Sequence, residues 1–303
     1  MNLEEKAKKH IRNLKKLVSN SNLSTDEIIL KQYNYEFNAV YDKSTVKVLV
    51  YFGKKGIKTI LQGDEKSDLY KKVKSIISDE LMLELVDPEL KEPEEYIGTD
   101  ECGKGDFFGP LVAAAVFVNA HTKKNLLRIG VKDSKDLSDY QISLLAKEIK
   151  KIVADNFTVV SINPKKYNEV YERFGNLNSL LNWAHSKALS NLFDKIDCKT
   201  VITDKFSNKD LDISSLSKHS DVEFIQETKA ERYVGVAAAS IIARESFLDW
   251  FENKERIGLN LPKGSSIETE VFAKKLLNSI GKEKLNELVK LHFKTFKKIS
   301  SNR

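Results

Sequence analysis

The sequence predicts a mixed α/β domain, with helices on the faces of a sheet, preceded by a small α+β domain. Strand-like and helix-like segments alternate from residue 96 to the last residue, which is typical of a sheet covered by helices. A hairpin between two amphipathic segments occupies the first part of the chain, and a stretch rich in proline and acids separates the two regions. We therefore place domains at residues 1–86 and 96–303, joined by a linker at 87–95.

Composition is typical of a globular protein of the cytoplasm. Of the 303 residues, 41% are hydrophobic and 31% are charged, and no apolar run approaches membrane-spanning length. The charged start, MNLEEKAKKHIRNLKK, lacks the apolar centre of a signal peptide. Cys102 and Cys198 lie far apart without a Cys/His cluster, which argues against a disulfide framework and against a structural zinc site.

The N-terminal region predicts a helix, a hairpin and a second helix. Residues 4–18 have an amphipathic helical pattern. VKVLVYF at 46–52 and IKTILQ at 57–62 predict two strands joined by the turn GKKG, and residues 67–83 predict a second helix. Together these segments predict a small α+β domain.

The same region carries a modest positive charge. Residues 1–84 contain 16 Lys+Arg and 12 Asp+Glu, a net charge of +4, and the whole chain has a net charge of +6. Lysines at 54, 55 and 58 lie near the predicted hairpin tip, where phosphates can be bound. A solvated lysine-rich surface explains the charge equally well.

The stretch YIGTDECGKGDFFGPLVAAAVFV, from Tyr96 to Val118, predicts two strands around a glycine-rich turn. We place Asp100 and Glu101 where the first strand ends. Since neighbouring strand residues point to opposite faces, both acids face one site only if the chain turns sharply there. Two solvated hairpin acids are the alternative, but the buried-looking strands on both sides favour a site for a divalent cation and a phosphate.

Further along the chain, helices and strands continue to alternate. Ser138 and Gln141 form a capping-box pattern, and Asn163-Pro164 is a typical helix start. The predicted helices lie near 123–127, at 139–154, after Asn163, at 178–196, at 232–251 and from 266 onward, and the predicted strands lie at 157–162, 200–203 and 222–225.

Acidic residues follow two of these later strands. Asp204 follows strand 200–203, and Glu227 and Glu231 come after strand 222–225. Because ligands gather outside strand ends in open α/β sheets, these acids are expected to meet Asp100 and Glu101. Clustered carboxylates repel one another unless cations lie between them, and ligand sets made only of oxygen favour Mg²⁺ or Mn²⁺. Each acid alone is more often a cap or a solvated turn residue, so the prediction depends on the joint pattern.

Two loops are candidates for phosphate binding. Ser134 and Lys135 offer a hydroxyl and an ammonium group, and the Gly103-Lys104-Gly105 turn offers backbone N–H groups and a cation. Two metal ions held by shared carboxylates activate a water and stabilise the leaving oxygen of a phosphodiester. The sequence therefore predicts phosphodiester hydrolysis.

Acyl-transfer chemistry has no support in the sequence. There is no GxSxG motif, and neither cysteine has a nearby histidine. His185 lies in the middle of a long predicted helix beside Trp183, and we interpret it as a packed helix residue.

These motifs resemble those of the type 2 ribonuclease H family. DECGKG is similar to the family's DE-x-G-[RTK]-G, DSKDL at 133–137 to its DSKxL, TDKF at 203–206 to the segment with its third metal-binding aspartate, and KAE with VAAASIIAR to the segment with its fourth acid. All four occur in the family's order, which is far more specific than one motif. Lys104, the glutamate as fourth acid and YFGKKGIKTILQG at 51–63 resemble the HIII type rather than the HII type. The resemblance covers nearly the whole chain.

The resemblance implies a ribonuclease H-like mixed sheet, preceded by a domain similar to the TATA-binding-protein fold that helps to grip the substrate. It implies an endonuclease that hydrolyses the RNA strand of RNA–DNA hybrids and leaves 5′-phosphate and 3′-hydroxyl ends. Asp100, Glu101 and Asp204 would bind Mg²⁺ or Mn²⁺, with two ions expected, and Glu231 would complete the acid set, with Glu227 as the fallback.

Substrate contacts follow from the same resemblance. Gly103, Lys104 and Gly105 would read the ribose, and Ser134 and Lys135 would hold a phosphate. We expect a monomer without an obligate protein partner. A non-catalytic hybrid-binding protein and a ribonuclease HII-like enzyme acting at single ribonucleotides in DNA are the alternatives.

Overall fold

The chain forms two compact units, Met1–Lys91 and Glu92–Arg303, in a computed structural model. Each unit has its own sheet. In the described part of the chain, no helix is both long and apolar enough to cross a membrane. The structure describes residues 3–53, 56–85, 92–131, 137–205 and 221–300.

The N-terminal unit is an antiparallel sheet with an amphipathic helix packed on it. The sheet order is β1-β3-β4-β5, with β2 also paired to β3. Helix α1 buries Ile11, Leu14 and Val18 in a core shared with the sheet. Lys58 is exposed on β5, whereas positions 54 and 55 lie outside the described residues. The elements are α1 (Leu3–Asn20), β1 (Ser24–Thr25), β2 (Ile29–Leu30), β3 (Asn34–Tyr41), β4 (Ser44–Gly53), β5 (Gly56–Gln62) and α2 (Asp68–Leu85).

The C-terminal unit is a mixed sheet flanked by helices, which confirms the predicted fold class. Its strand order is β10-β9-β6-β7-β8, in which β10, β9 and β6 are parallel and β7 and β8 are antiparallel to their neighbours. Its elements are β6 (Tyr96–Cys102), β7 (Leu111–Val118), α3 (Ala120–Arg128), α4 (Asp139–Val153), β8 (Phe157–Ile162), α5 (Pro164–Phe174), α6 (Leu177–Phe193), β9 (Thr200–Asp204), β10 (Glu223–Glu227), a 3-10 helix (Ala230–Arg232), α7 (Val234–Glu255), α8 (Ile267–Asn286) and α9 (Lys294–Ser300).

Helix starts follow the predicted capping chemistry. The Ser138 hydroxyl accepts a hydrogen bond from the Gln141 backbone N–H, and the Gln141 side chain accepts one from the Ser138 N–H. Asn163 caps α5 in front of Pro164. These caps satisfy backbone donors that the first helical turn leaves without partners, so short-range sequence determines where α4 and α5 begin.

Strand β6 lies between helices on the two faces of the sheet. The Thr99 hydroxyl lies 3.0 Å from the His185 Nδ1 atom on α6. On the other face, the Gly235 backbone N–H donates to the Tyr96 hydroxyl at 2.8 Å. A Cβ atom at Gly98 would lie only 2.3 Å from the Gly235 carbonyl carbon, so α7 packs directly on the strand backbone.

The predicted end of this strand was wrong. We expected β6 to give out at Asp100 and Glu101 with a sharp turn, but it continues to Cys102. Pairing with β7 sustains it, with Asp100 opposite Ala114 and Glu101 opposite Ala113. The turn follows at Gly103, which has a φ of +90°.

Candidate active site

Asp100 and Glu101 leave opposite faces of β6 at the point where its parallel neighbour ends. The last register pair between β6 and β9 is Thr99 with Thr203, so the next residues of β6 border an open edge. Asp100 faces α7, where it forms a side-chain hydrogen bond with Ser240. Glu101 points to the α6 face, and its side chain is only 3% exposed. The two acids are therefore neighbours on opposite faces of an unkinked strand, close enough for the charge of Glu101 to raise the pKa of Asp100.

Two hydrogen-bonding side chains hold the Glu101 carboxylate in place. One carboxylate oxygen lies 3.0 Å from the His185 Nε2 atom, and the other accepts a hydrogen bond from the Lys104 ammonium at 2.7 Å. Burial acts to raise the pKa of Glu101, but the hydrogen bond and charge of His185 and the charge of Lys104 lower that pKa to about 2. Glu101 is therefore a carboxylate at every physiological pH.

Asp100 lies in a less favourable environment for a negative charge. Burial raises the pKa of Asp100 well above the usual carboxyl range, and repulsion by Glu101 and Asp204 adds to the effect. The Glu101 backbone N–H donates to Asp100 at 2.8 Å. This hydrogen bond and the one with Ser240 partly oppose the rise in the pKa of Asp100. The three carboxylates thus share one electrostatic environment, although β9 contributes the third from a distant part of the sequence.

A hydrogen bond joins Asp204 to the 3-10 helix that carries Glu231. Asp204 is the last residue of β9, and its carboxylate accepts a hydrogen bond from the Ala230 backbone N–H at 3.2 Å. Glu231 is the next residue in the same 3-10 helix and is half-buried. The backbone beside Glu231 therefore lies next to Asp204, and the role of Glu231 as the fourth acid stays a prediction.

Glu227, the fallback for the fourth acid, has other partners. It ends β10 opposite Asp204 in the strand register. Its carboxylate accepts hydrogen bonds from the Arg232 guanidinium and, at 3.1 Å, from the Tyr233 hydroxyl. These contacts hold the Glu227 carboxylate against Arg232 and Tyr233, and Glu231 stays the first candidate for the fourth acid, as the sequence predicts.

The predicted substrate loops are placed only in part. Gly105 is exposed with open space around its Cα, and Lys104 is paired with Glu101 instead of being free for a phosphate. Ser134 and Lys135 lie outside the described residues.

The chemistry of the donor set fits a hard divalent cation. The acids supply oxygen ligands, and Asp100 is destabilised by its negative neighbours unless a positive charge lies between them. The Lys104 ammonium already supplies part of this positive charge beside Glu101. Within the described residues, no three or more His, Cys, Asp or Glu side chains are arranged as a metal-binding cluster. The charge and the oxygen donors of the site therefore suit a cation, although these side chains are not arranged around a common point.

His185 is the site residue that sequence reasoning missed. We predicted a packed helix histidine, and it is fully buried, but both ring nitrogens contact side chains of β6. The signal in the sequence is weak, because a histidine on the apolar face of α6 fits a packed residue equally well.

If Glu101 binds a metal ion, as the sequence predicts, replacing His185 with Phe is expected to weaken that binding. The variant keeps an aromatic ring but leaves Glu101 without one of its two partners, and loss of such an orienting contact costs about 10–100-fold in metal affinity. The measurement is the Mn²⁺ concentration that gives half-maximal cleavage of a nucleic-acid substrate. His185→Gln serves as the control, because its amide can still donate to Glu101. An unchanged metal requirement in H185F would contradict a role for His185 in orienting Glu101.

Comparison with known proteins adds the family context. Residues 97–296 match the family model described as Ribonuclease HII. A Ribonuclease HIII from Chlamydia caviae is 38% identical over 277 residues, which cover 89% of each chain. Another Ribonuclease HIII, from Protochlamydia amoebophila, is 45% identical over 202 residues, or 66% of each chain.

Solved structures agree with these matches. The crystal structure of Bst-RNase HIII in complex with Mn²⁺ aligns with a TM-score of 0.62 and 27% identity over 96% of both chains. The ribonuclease H2 of Pyrococcus horikoshii OT3 aligns with a TM-score of 0.60 and 27% identity, over 68% of this chain and 97% of that one. The alignment with the HIII structure thus includes the N-terminal unit as well, whereas the alignment with the H2 structure covers about two thirds of the chain.

Proposed function

Since this chain belongs to the ribonuclease HII family, and within it to the ribonuclease HIII group, it is a ribonuclease H that hydrolyses the RNA strand of RNA–DNA hybrids, and we propose that Asp100, Glu101, Asp204 and Glu231 carry the reaction. The observation that supports this assignment is the mutual repulsion of the first three acids at the open edge of β6. Carboxylates are poor partners for a phosphodiester unless cations are bound between them.

Each residue has a defined part in this proposal. Asp100, Glu101 and Asp204 hold the cations, and His185 and Lys104 keep the Glu101 carboxylate ionised and oriented. Bound divalent ions would supply an activated water and stabilise the leaving oxygen. Glu231 completes the negative set beside Asp204.

We infer that the site takes two ions of Mg²⁺ or Mn²⁺. The support is the oxygen-only donor set and the Mn²⁺ bound in the Bst-RNase HIII structure. The reaction is proposed to leave 5′-phosphate and 3′-hydroxyl ends.

We propose that the turn Gly103-Lys104-Gly105, which is exposed at Lys104 and Gly105, reads the ribose of the RNA strand, whose 2′-hydroxyl distinguishes RNA from DNA. Gly105 is exposed, so its backbone groups are accessible to a substrate. Ser134 and Lys135 are proposed to hold a phosphate.

A three-substrate assay tests the function. A uniform RNA–DNA hybrid is expected to be cut, a DNA duplex with one ribonucleotide at least about tenfold more slowly, and an all-DNA duplex not at all. Slower cutting of the duplex with one ribonucleotide is expected because Lys104 occupies the position at which the HII type has arginine. Efficient cutting at the single ribonucleotide would favour an HII-like activity.

The proposed division of the chain is a substrate-binding domain at 1–86, a linker at 87–95 and a catalytic domain at 96–303. The N-terminal domain is proposed to resemble the TATA-binding-protein fold, a proposal supported by its antiparallel sheet with a packed helix and its net positive charge. We also propose that the protein acts as a monomer in the cytoplasm, in keeping with two free cysteines.

Deleting residues 1–84 is expected to weaken hybrid binding about tenfold at low salt while changing kcat little. The lost lysine–phosphate contacts would reduce the affinity and lower the slope of its salt dependence by about 0.9 for each contact. Fluorescence anisotropy at several salt concentrations measures both quantities. An equal affinity and an equal salt slope would mean that these lysines are merely solvated.

A further inference from the structure

The connection between α8 and α9 pairs with the glycine-rich loop of the site. The Gly109 N–H donates to the Leu288 carbonyl at 3.1 Å, and the Lys290 N–H donates to the Phe107 carbonyl at 2.9 Å. Phe108 and Val289 form the antiparallel bridge between them. Residues 288–290 therefore form a short ladder with residues 107–109, which directly follow the turn proposed to read the ribose.

The Lys290 side chain crosses this loop and is fully buried. Its ammonium donates to the Asp106 carbonyl at 2.8 Å and to the Gly109 carbonyl at 2.7 Å, and it lies 5.5 Å from the centroid of the Tyr167 ring. Burial lowers the pKa of Lys290 to about 7, although the charges of Asp106 and Cys102 oppose the shift. An apolar side chain would fill the same space without this desolvation cost, so packing alone does not account for a lysine here.

Helix α5 holds the same segment from its other side. The Asn168 amide donates to the Asn286 carbonyl at 3.2 Å and to the Val289 carbonyl at 2.9 Å, and it accepts from the Leu291 N–H at 2.9 Å. The segment that carries Lys290 is therefore fixed to the body of the unit and provides a firm support for the loop.

The position of residues 106–110 in turn determines the position of the turn at Lys104 and Gly105. The Asp106 N–H donates to the Gly103 carbonyl at 3.3 Å, which closes the turn around Lys104 and Gly105. At the start of the turn, a Cβ atom on Gly103 would lie 2.2 Å from the Pro110 carbonyl oxygen, so the two ends of the loop are in close contact. Moving Asp106 or Gly109 would therefore move the turn.

We propose that Lys290 is a positioning residue for substrate recognition, whose ammonium sets the place of the Gly103-Lys104-Gly105 backbone against the RNA strand. This inference rests on the proposed role of that turn. Asp100, Glu101 and Asp204 lie in β6 and β9. Glu101 contacts the turn through Lys104, but His185 on α6 holds its other carboxylate oxygen. Lys290 is thus expected to affect substrate binding more than metal binding.

Lys290→Met tests the proposal in the full-length enzyme. It keeps the length of the side chain but leaves two buried carbonyls without a donor, so KM for the hybrid is expected to rise about tenfold, with kcat and the Mn²⁺ requirement changed less than about twofold. Steady-state kinetics over ranges of hybrid and Mn²⁺ concentration measure all three. Loss of folded protein alone would lower the apparent kcat and leave KM unchanged.

Lys150→Met is the matched control. Lys150 makes a 2.7 Å ion pair with Glu245 between α4 and α7 and does not contact the loop, so its KM for the hybrid is expected to stay at the wild-type value. Asn168→Ala provides a second variant with milder effects, and a rise in KM of about threefold is expected because the segment loses three hydrogen bonds.

The outcomes separate this inference from the proposed function. If the wild-type enzyme fails to cut the hybrid, the proposed function is wrong. If the wild type cuts it and KM is unchanged in K290M, or in N168A should K290M not fold, the positioning role is overturned. An equal rise in KM in K150M would overturn it too.

Discussion

The Asp100→Asn variant is expected to lose RNA–DNA hybrid cleavage by at least about 10³-fold in kcat/KM, because several kcal/mol of transition-state stabilisation depend on the cations it helps to hold. The folded protein should be no less stable than the wild type. Asparagine keeps the shape and the contact with the Glu101 N–H, while it removes a buried carboxylate that Glu101 and Asp204 repel.

Cleavage of a labelled hybrid and thermal unfolding together test this expectation. Asp249→Asn is the matched control, since Asp249 is an exposed residue of α7 and the chemical change is identical. D100N activity above about a tenth of the wild-type value would contradict the role of Asp100, because loss of a metal ligand is expected to cost more.

The Gly98→Ala variant is expected to lose about 3 kcal/mol or more of unfolding free energy, through overpacking between β6 and α7. A Cβ atom there would lie 2.3 Å from both the Gly235 carbonyl carbon and the Val236 nitrogen. Both are backbone atoms, so relief requires the whole helix to move, which would also shift Ser240 away from Asp100.

Denaturant unfolding measures the effect. Gly105→Ala is the stability control, since no atom lies within 4 Å of a Cβ built at that position, and a change within about 0.5 kcal/mol is expected. Equal stability of the Gly98 and Gly105 variants would show that the helix is free to move away from the strand.

The local features of the fold were predictable from the sequence. The helix that begins after Ser138 and the helix that begins at Pro164 follow from their caps, and the apolar run Leu111–Val118 is a fully buried strand. Such signals lie within a few residues of the element that they specify. Asp204 could be assigned to the end of its strand for the same reason.

The features that the sequence did not predict depend on pairing between distant segments. Strand β6 extends past Asp100 because β7 continues to pair with it, and no residue within β6 encodes that length. His185 reaches Glu101 from a helix 84 positions later in the chain. Lys290 reaches the Gly109 carbonyl across 181 positions. In each case the partner is set by how the helices pack on the sheet.

The ends of the cleavage products test the central claim most directly. A hybrid with a labelled RNA strand would be digested with Mg²⁺ or Mn²⁺, and in parallel with a chelator, and the fragments mapped. Attack by an activated water predicts metal-dependent cutting of the RNA strand alone, with 5′-phosphate and 3′-hydroxyl ends. Fragments with 2′,3′-cyclic phosphates, or cutting that survives chelation, would contradict a reaction carried by cations at Asp100, Glu101, Asp204 and Glu231.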